Sequence, residues 1–486
     1  MSSTEWEAVI GLEVHAHLKT KTKMFCRCAL EYGAGENTHT CPVCLAHPGA
    51  LPVPNARAIE HTIKLGLALG CEISKHAIFA RKNYFYPDLP KGYQISQYEA
   101  PLCGPGAFVI PTADGDETVG ITRAHLEEDA AKTVHAGGAT GRSVGADYSL
   151  VDFNRGGTPL LEIVTDPDVR DAAQARRFLT MLRATVIATG ASDCDLEKGS
   201  LRVDANVSVR RAGESALGTK CELKNMNSFR YLERGINAEI RRQVALLEAG
   251  DRVVQATMHY DPASDTLSLL RSKEEADDYR YFPEPDLVPV EPDPAHLDEL
   301  RAGLTELPLA RIARLETTYG LTAATAETLA LDDGLAAYFE DVAARTGDAK
   351  ASANWVMGEL AAQLNATGVE VAASPVTPER LAGLIALVDG GTLSSTAAKQ
   401  VFAAMLDDPA DAAELTGRLG LAQVGDVDEL GAIVDQVLAA SPGEVEAYRG
   451  GKLQLIGFFT GQVMRASGGN ADPKIVQGLL RDRLGA

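Results

Sequence analysis

The sequence has no apolar run that approaches the roughly 20 residues needed to cross a bilayer. Its first residues, MSSTEWEAV, lack the basic and then apolar layout of a secretion signal. From these two absences we expect a cytoplasmic protein that does not enter a membrane. An excess of positive charge is also missing, since the formal net charge is -21 at pH 7. Non-specific binding to nucleic acid depends on neutralising phosphates, so this charge disfavours that class but still permits a local basic patch that contacts RNA.

Several familiar catalytic motifs are absent as well. The sequence has no GxxxxGK[ST] phosphate loop and no kinase glycine-rich loop, which disfavours an ordinary small-molecule kinase. It also has no Gly/Ser-rich amidase signature with a supporting lysine, and no cysteine and histidine pair of the kind that a glutaminase uses. We therefore expect that the protein alone does not release ammonia from glutamine.

One stretch near the N-terminus, Val9 to Leu18, alternates between apolar residues and residues that include a glutamate and two histidines. In a strand, alternate side chains lie on opposite faces, so the apolar residues share one face while Glu13, His15 and His17 share the other. A carboxylate beside two imidazoles can bind a metal ion, contact a phosphate, or form an ordinary polar surface row. All three interpretations remain open from this stretch alone.

A second alternating stretch, Leu201 to Arg210, has complementary residues on its polar row. Asp204 can coordinate a hard cation, and Arg202 can bind an anion. Lys224 follows soon after and adds another cation. Carboxylates, a histidine and cations on one face of a sheet form a candidate cradle for a nucleoside triphosphate with its metal, so Arg202 and Lys224 are candidate nucleotide-binding residues.

Two further segments contain unusual combinations of side chains. Residues 120–132, GITRAHLEEDAAK, bring Glu127 and Glu128 together. Neighbours in an extended chain face opposite ways, so only one of them belongs to a shared site unless a bulge intervenes; the alternative is a solvated acidic surface. Residues 81–91, RKNYFYPDLPK, mix cations with aromatic rings, which suits phosphate and base recognition or, equally, a packed aromatic loop with solvated lysines.

The eight cysteines indicate reduced thiols or a metal site and not a disulfide framework. Cys26 and Cys28 form one short-spaced pair, and Cys41 and Cys44 form another about a dozen residues later. Two such pairs separated by a loop are what a tetrahedral four-cysteine zinc site requires; the alternative is four thiols without a metal. A closed shell of four thiolates leaves no open position for water, so zinc here would stabilise the loop and would not catalyse.

The domain organisation follows from a change in periodicity. A linker rich in proline and acid covers Glu284 to Pro294, and beyond it alternation gives way to the helical period of 3.6 residues. We expect an α+β fold class, with a cradle-like domain built on a largely antiparallel sheet over residues 1–294. An all-helical domain over residues 295–406 and a small helical tail domain over residues 407–486 follow it.

Many motifs in a fixed order resemble one family. The sequence is similar, over essentially its whole length, to the B subunit of the bacterial glutamine-dependent aspartyl/glutamyl-tRNA amidotransferase. This resemblance rests on IGLEVHAHL, RKNYFYPDLPKGYQIS, GITRAHLEEDA, SLVDFNRGGTPLLEIV, GSLRVDANVSV, ELKNMNSF, DDYRYFPEPDL, ANWVMGEL and GKLQLIGFFTGQVM. It implies that ATP phosphorylates the carboxylate of Glu or Asp misacylated on tRNA(Gln) or tRNA(Asn), and that ammonia displaces the phosphate. It also implies two partners in a heterotrimer, an amidase (the A subunit) that makes the ammonia and a small C subunit.

The resemblance also assigns residues, motif by motif. It implies that Glu13, His15, Glu128 and Asp204 form the catalytic Mg²⁺ and phosphate site, and that Lys82 is a phosphate-facing cation. Magnesium prefers oxygen ligands, so either His15 lies behind the ligands or the site accepts manganese. Our hypothesis from the sequence is that Glu128 matters more than Glu127.

The tail domain has its own charge pattern. Residues 405–441 contain one arginine and eight acids, whereas residues 442–486 contain six basic residues and four acids. The resemblance implies that the helical regions contact the body of the tRNA, which makes Lys452, Arg465 and Lys474 candidate phosphate contacts; solvated helix faces are an equal alternative. A second function class also stays open, a zinc-stabilised RNA-binding scaffold without catalysis.

Overall fold

The computed structural model describes residues 5–112, 115–137, 145–226, 228–272, 276–423, 427–467 and 471–485. The protein divides into two compact units, Met1–Arg311 and Ile312–Ala486. The first combines sheets with helices, and the described part of the second is helical, so the expected α+β class and largely antiparallel sheet are confirmed. Within the described ranges, no helix has both the length and the apolar character needed to cross a membrane.

All strands of the described residues belong to the first unit. In sequence order they are β1 (Trp6–His17), β2 (Ala80–Asn83), β3 (Tyr93–Ser96), β4 (Gly106–Thr112), β5 (Gly115–Glu128), β6 (Lys132–Ala136), β7 (Tyr148–Asp152), β8 (Pro159–Thr165), β9 (Leu201–Arg211), β10 (Cys221–Met226), β11 (Ala256–Asp261), β12 (Thr266–Ser272) and β13 (Phe282–Pro283).

The helices occur in both units. They are α1 (Ala56–Ala68), α2 (Ala172–Ala188), α3 (Phe229–Glu248), α4 (Pro294–Ala302), α5 (Pro308–Tyr319), α6 (Ala323–Ala330), α7 (Asp333–Thr346), α8 (Ala349–Trp355), α9 (Ala361–Thr367), α10 (Pro378–Asp389), α11 (Ser395–Asp407), α12 (Ala412–Leu419), α13 (Val427–Ala440), α14 (Pro442–Arg449), α15 (Ile456–Ala466) and α16 (Pro473–Leu484). Short 3₁₀ turns cover Ala276–Tyr279, Val371–Ala373 and Leu453–Leu455, and a π-helical turn, Val356–Leu360, joins α8 to α9.

The main sheet of the first unit places the two alternating stretches side by side. Its strand order in the described residues is β12-β11-β10-β9-β1-β8-β5-β4, and only the β10 and β11 pair is parallel. Smaller sheets are formed by β13-β2-β3 and by β6-β7. The centre of the main sheet is thus the pair β1 and β9, which are far apart in sequence.

The apolar rows of β1 and β9 form the core, as their alternation predicts. Ile10, Leu12 and Val14 are at most 1 % exposed, and the alternate residues of β9 are similarly buried. Helix α3 packs on β9 and β10, and α2 packs on α3. The polar rows therefore lie on the face of the sheet opposite the apolar core, which is the arrangement that strand alternation imposes.

The small sheet β13-β2-β3 is fixed by a buried ion pair. Nε of Arg81 donates to Oε2 of Glu284 at 2.7 Å, and a second guanidinium nitrogen donates to Oε1 at 2.8 Å. The Glu284 side chain is fully buried. Residues 81–83, at the start of the segment that mixes cations with aromatic rings, belong to β2, where Arg81 lies opposite Ile95 of β3.

In the second unit, helices α10 and α11 begin directly after residues that cap them. Thr377 accepts a hydrogen bond from the first turn of α10, and Ser394 accepts one from the first turn of α11; a proline is the first residue of α10.

The segment from Glu284 to Pro294, which the sequence suggested as a linker, is attached to the first unit, because Val290 and Ala77 exchange two backbone hydrogen bonds. The division of the protein into three domains at residues 294 and 406 stays a prediction.

Candidate active site and metal centres

Polar side chains from three neighbouring strands lie next to one another on one face of the main sheet. His15 of β1 lies opposite Glu162 of β8, and Glu162 lies opposite His125 of β5. Directly opposite residues in an antiparallel pair share a face, and Glu127 projects to that same face because it lies two residues beyond His125. Segments that are remote in sequence therefore contribute to a single polar surface.

The first group of possible metal ligands comprises His15, Glu127 and Glu162, which we call the His15 cluster. Nε2 of His15 lies 3.4 Å from Oε2 of Glu162 and 3.9 Å from Oε1 of Glu127. One ligand atom from each residue lies within 4.8 Å of the others. The mixed nitrogen and oxygen donor set fits a divalent cation, with manganese accepted more readily than magnesium because of the imidazole.

His125 contacts both carboxylates of the His15 cluster. Its Nε2 is 3.3 Å from Oε2 of Glu162 and 3.6 Å from Oε2 of Glu127. Burial alone would lower the pKa of His125, but the two carboxylates raise it to about 9. Burial alone would also lower the pKa of His15, but the neighbouring carboxylates raise it above its ordinary value. A histidine with these contacts can orient carboxylate ligands, as the hydrogen-bonding partners of metal ligands do.

The second group of possible ligands comprises Glu13, Asp204 and Glu222, which we call the Glu13 cluster. Glu13 lies opposite Asp204, and one oxygen from each of the three residues lies within 4.8 Å of the others. Asn206 donates to Oε1 of Glu13 at 2.8 Å, and Nζ of Lys224 lies 2.8 Å from Oδ2 of Asp204. Burial alone would lower the pKa of Lys224, but the carboxylates raise it above its ordinary value. An all-oxygen donor set is the kind that magnesium prefers.

Lys82 of β2 supplies a cation near the His15 cluster. Its Nζ lies 4.7 Å from the centroid of the Tyr279 ring. Burial alone would lower the pKa of Lys82, but Glu127, Tyr281 and Glu162 raise it above its ordinary value. The ammonium group therefore stays charged near the carboxylates, where a phosphate group could also reach it.

Arg202 lies opposite His15 but has a carboxylate partner of its own. Its guanidinium donates to Oδ2 of Asp129 at 2.9 Å, and Nε2 of His17 lies 2.7 Å from the same oxygen. Burial alone would raise the pKa of Asp129, but His17, Arg202 and Arg155 hold it well below its usual range. Arg202 is thus fixed in place at the edge of the polar surface.

Glu128 lies apart from both clusters. Its Oε1 is 2.5 Å from Nζ of Lys91 and accepts a hydrogen bond from the backbone N–H of Ile95 at 3.1 Å. Together with Lys23 and Cys44 it lines a cavity of about 190 Å³. Neighbouring residues of a strand face opposite sides, which explains why Glu127 joins His15 and Glu128 does not.

The four clustered cysteines converge as their spacing predicts. Sulfur atoms of Cys26, Cys28, Cys41 and Cys44 lie within 4.8 Å of one another, and those of Cys41 and Cys44 are 3.9 Å apart. Sulfurs around a tetrahedral zinc at about 2.3 Å are separated by about 3.8 Å, so this donor set fits the ion. A hydrogen bond between Cys26 and Cys44 lowers the pKa of the Cys44 thiol and raises that of Cys26.

Comparison with known proteins identifies the family. Residues 8–298 match the family model described as the GatB/GatE catalytic domain, and residues 337–484 match the one described as the GatB domain. The protein belongs to the GatB family. A relative from Moorella thermoacetica, named as the B subunit of aspartyl/glutamyl-tRNA(Asn/Gln) amidotransferase, is 51% identical over 99% of this sequence and 100% of its own. Relatives of the same name from Anaeromyxobacter dehalogenans and Syntrophotalea carbinolica are 51% and 49% identical, and each alignment covers at least 99% of both proteins.

In this member of the GatB family, the residues assigned from the sequence fall into separate groups. His15 and Lys82 lie at the His15 cluster, whereas Glu13 and Asp204 lie in the Glu13 cluster with Lys224. The structure does not bring Glu128 to either cluster, and the position beside His15 that was expected for it is taken by Glu127. The physical reason is the pleat of β5. A metal-binding role for any of these residues stays a prediction.

Sequence reasoning missed two carboxylates of this GatB protein. Glu162 is the one acid within the apolar run TPLLEIV, and a single charge in a buried strand is a signal that could have been used. Glu222 begins the ELKNM stretch but gave no such signal, since acids are common near strand ends. The remaining cysteines, Cys71, Cys103, Cys194 and Cys221, are buried and apart from the cysteine cluster.

Proposed function

We propose that this protein is the subunit that activates and amidates the side-chain carboxylate of Glu or Asp carried on tRNA(Gln) or tRNA(Asn). The names of its full-length relatives support the tRNA substrates and the amide product. The main support is the polar surface of the main sheet, where the His15 and Glu13 clusters each include one residue of β1. Such a surface is suited to binding a nucleotide with its divalent cations.

The chemistry needs activation because a carboxylate is a poor acyl donor. In the first step an oxygen of the substrate carboxylate attacks the γ-phosphorus of ATP, and ADP leaves. In the second step the nitrogen of ammonia attacks the carbon of the acyl phosphate, inorganic phosphate leaves, and a proton is released. Phosphoryl transfer depends on positioning and charge neutralisation more than on a protein nucleophile, which agrees with the absence of a Ser-His-Asp arrangement in the sequence.

Each part of the polar surface has a role in this scheme. The Glu13 cluster would hold Mg²⁺ and the His15 cluster Mg²⁺ or Mn²⁺, and a bound cation would neutralise the phosphates of ATP. Lys82 and Lys224 place ammonium groups beside these carboxylates, where each can contact a phosphate oxygen. Arg202, held by Asp129, can contact an anionic group at the edge of the surface. His125 keeps the carboxylates of the His15 cluster in position.

We also propose two partner subunits and a structural metal for this protein. Ammonia would come from an amidase A subunit, with a small C subunit completing the heterotrimer, because the sequence lacks a glutaminase motif. Zn²⁺ at the four-cysteine site would stabilise the loop between β1 and α1. Lys452, Arg465 and Lys474 are exposed in the second unit and are proposed phosphate contacts for the tRNA. From the proposed role in tRNA amidation we also infer a cytoplasmic location.

An RNA-binding scaffold without catalysis is the alternative. A scaffold would have little use for six carboxylate and imidazole ligands that converge in two groups, so the His15 and Glu13 clusters favour the enzyme. Release of phosphate from ATP, measured with the protein in complex with its amidase and small partners, separates the two. Stimulation by Glu-tRNA(Gln) or Asp-tRNA(Asn) supports the proposal, whereas tRNA binding without any stimulation supports the scaffold.

A further inference from the structure

Lys23 is a lysine buried in the first unit with very little around it to balance its charge. Its relative exposure is 0 %, and it is one of the largest fully buried side chains in the described part of the protein. Nζ donates to the carbonyl oxygen of Phe153 at 2.8 Å, and no carboxylate of the described residues lies within ion-pair distance. A buried ammonium group is unfavourable unless an opposite charge compensates it. The structure around Lys23 must therefore supply a negative charge in another form.

The surroundings of Lys23 point to the cysteine site. Lys23 lines the cavity of about 190 Å³ together with Cys26 and Cys44. Its backbone N–H donates to the carbonyl oxygen of Cys28 at 3.0 Å, so the lysine is tied directly to the cysteine loop. Gly157, at φ +87°, leaves room for the lysine stem, since a Cβ there would lie 3.3 Å from the Cδ of Lys23.

The carboxylates on the other side of this cavity are already paired. Glu128 contacts Nζ of Lys91 at 2.5 Å, and Asp286 contacts the guanidinium of Arg81 at 3.1 Å. Four thiolates around one Zn²⁺ carry a net charge of about -2, as the sum of the ionic charges. This dianion would be the largest negative charge on the cavity wall.

We infer that Lys23 is the counter-cation of a zinc tetrathiolate formed by Cys26, Cys28, Cys41 and Cys44. The inference rests on the proposed zinc site but goes beyond it, because it gives the site a fixed electrostatic partner outside the ligand set. Lys23 is a positioning residue in this account. It strengthens zinc retention by stabilising the negative charge on the sulfur atoms. The net negative charge of the zinc tetrathiolate in turn compensates the charge of the buried ammonium group.

The first test measures zinc retention by the full-length protein. Lys23→Met removes the charge and keeps most of the volume, Lys23→Arg keeps the charge, and Lys21→Met is the matched control at an exposed lysine two residues earlier. Transfer of zinc to a chromogenic chelator is expected to be about tenfold faster for Lys23→Met than for wild type. Lys23→Arg should recover most of the retention, and Lys21→Met should match wild type.

The second test uses cobalt as a spectroscopic probe of the sulfur atoms. A nearby cation lowers the energy of the sulfur lone pairs, so its removal should shift the sulfur-to-cobalt charge-transfer bands of Lys23→Met to longer wavelength. A purely structural lysine would leave the band positions unchanged. Thermal unfolding supplies a third comparison, because the metal-free Lys23→Met protein should unfold at a higher temperature than metal-free wild type.

The outcomes distinguish this inference from the zinc proposal. Wild type that contains zinc, with equal retention and equal cobalt spectra in Lys23→Met, would overturn the role of Lys23 and leave the zinc site intact. Wild type without zinc or any affinity for it would overturn both. If Lys23→Met does not fold, Lys23→Gln with the cobalt spectrum decides the same question, since unshifted bands would contradict the inference.

Discussion

Glu127 and His15 face each other across the polar surface of the main sheet, with Oε1 of the carboxylate 3.9 Å from Nε2 of the imidazole. The two residues lie on strands β5 and β1, which are separated by β8. Glu128, the next residue in the sequence, instead pairs with Lys91. Glu127 is therefore a candidate metal ligand, whereas Glu128, which has the same carboxylate, is not.

Glu127→Gln should raise the Mg²⁺ concentration needed for tRNA-dependent ATP cleavage and lower the maximal rate by about 100-fold or more, because it removes a charged, proposed metal ligand of the His15 cluster. Glu128→Gln is the matched control, with the same chemical change one residue away. It should leave the Mg²⁺ midpoint unchanged and should instead destabilise the protein, since the mostly buried Lys91 loses its partner. Titration of phosphate release against Mg²⁺ checks both.

The reverse pattern would contradict the assignment. If the Mg²⁺ midpoint moves in Glu128→Gln and not in Glu127→Gln, the hypothesis made from the sequence is right and Glu127 is not the ligand. Equal shifts in both variants would mean that the strand rearranges when the nucleotide binds.

Lys224→Met should make the stability of the first unit depend more strongly on divalent cations. Lys224 neutralises Asp204 and Glu222, and without it the three carboxylates of the Glu13 cluster repel one another. Addition of Mg²⁺ should then stabilise the variant by about 1–2 kcal/mol more than wild type, allowing for partial exposure. Urea unfolding with Mg²⁺ or with EDTA measures the difference. Lys220→Met, at an exposed lysine nearby, should behave like wild type, and an equal Mg²⁺ effect in Lys224→Met would count against the cluster.

The faces of the central strands could be predicted from sequence because strand alternation has a period of two. Ile10, Leu12 and Val14 are buried while Glu13 and His15 lie on the opposite face, as expected. The convergence of the four cysteines was also predictable, because the ligands of a tetrahedral zinc site occur in the sequence as two short-spaced pairs. These are features that a short segment determines by itself.

The partners of these residues could not be predicted in the same way. Glu162 meets His15 only because β8 pairs with β1, and Glu222 meets Asp204 because β10 pairs with β9 across a register shift. Strand order depends on packing of remote segments, which periodicity does not encode. The buried position of Lys23 likewise follows from the cavity that several segments enclose.

Cys28→Ser should remove most of the bound zinc from the purified protein, because a serine hydroxyl is a much weaker ligand than a thiolate. The thermal unfolding temperature of the first unit should fall, and a chelator should have no further effect on it. Cys71→Ala changes a buried cysteine outside the cluster and should retain about one zinc per molecule. Metal analysis by mass spectrometry checks the content, and full zinc retention by Cys28→Ser would exclude the proposed ligand set.

Arg81→Met should destabilise the first unit by about 3–5 kcal/mol, because it leaves the fully buried carboxylate of Glu284 without its bidentate partner. Glu284→Gln should have a smaller effect, since Arg81 still contacts Asp286. Arg57→Met breaks an exposed ion pair with Glu60 and should change stability by less than about 1 kcal/mol. Urea unfolding of the three variants gives the order, and an effect of Arg81→Met no larger than that of Arg57→Met would show that the ion pair does not anchor β2.

The acyl-phosphate route is tested by release of phosphate from ATP, measured on this protein in complex with the proposed amidase and small partner subunits, with and without misacylated tRNA. We predict that Glu-tRNA(Gln) or Asp-tRNA(Asn) stimulates phosphate release, that correctly acylated tRNA does not, and that Glu127→Gln abolishes the stimulation. Phosphate release that is the same with and without misacylated tRNA, while the tRNA is bound, would contradict the acyl-phosphate route.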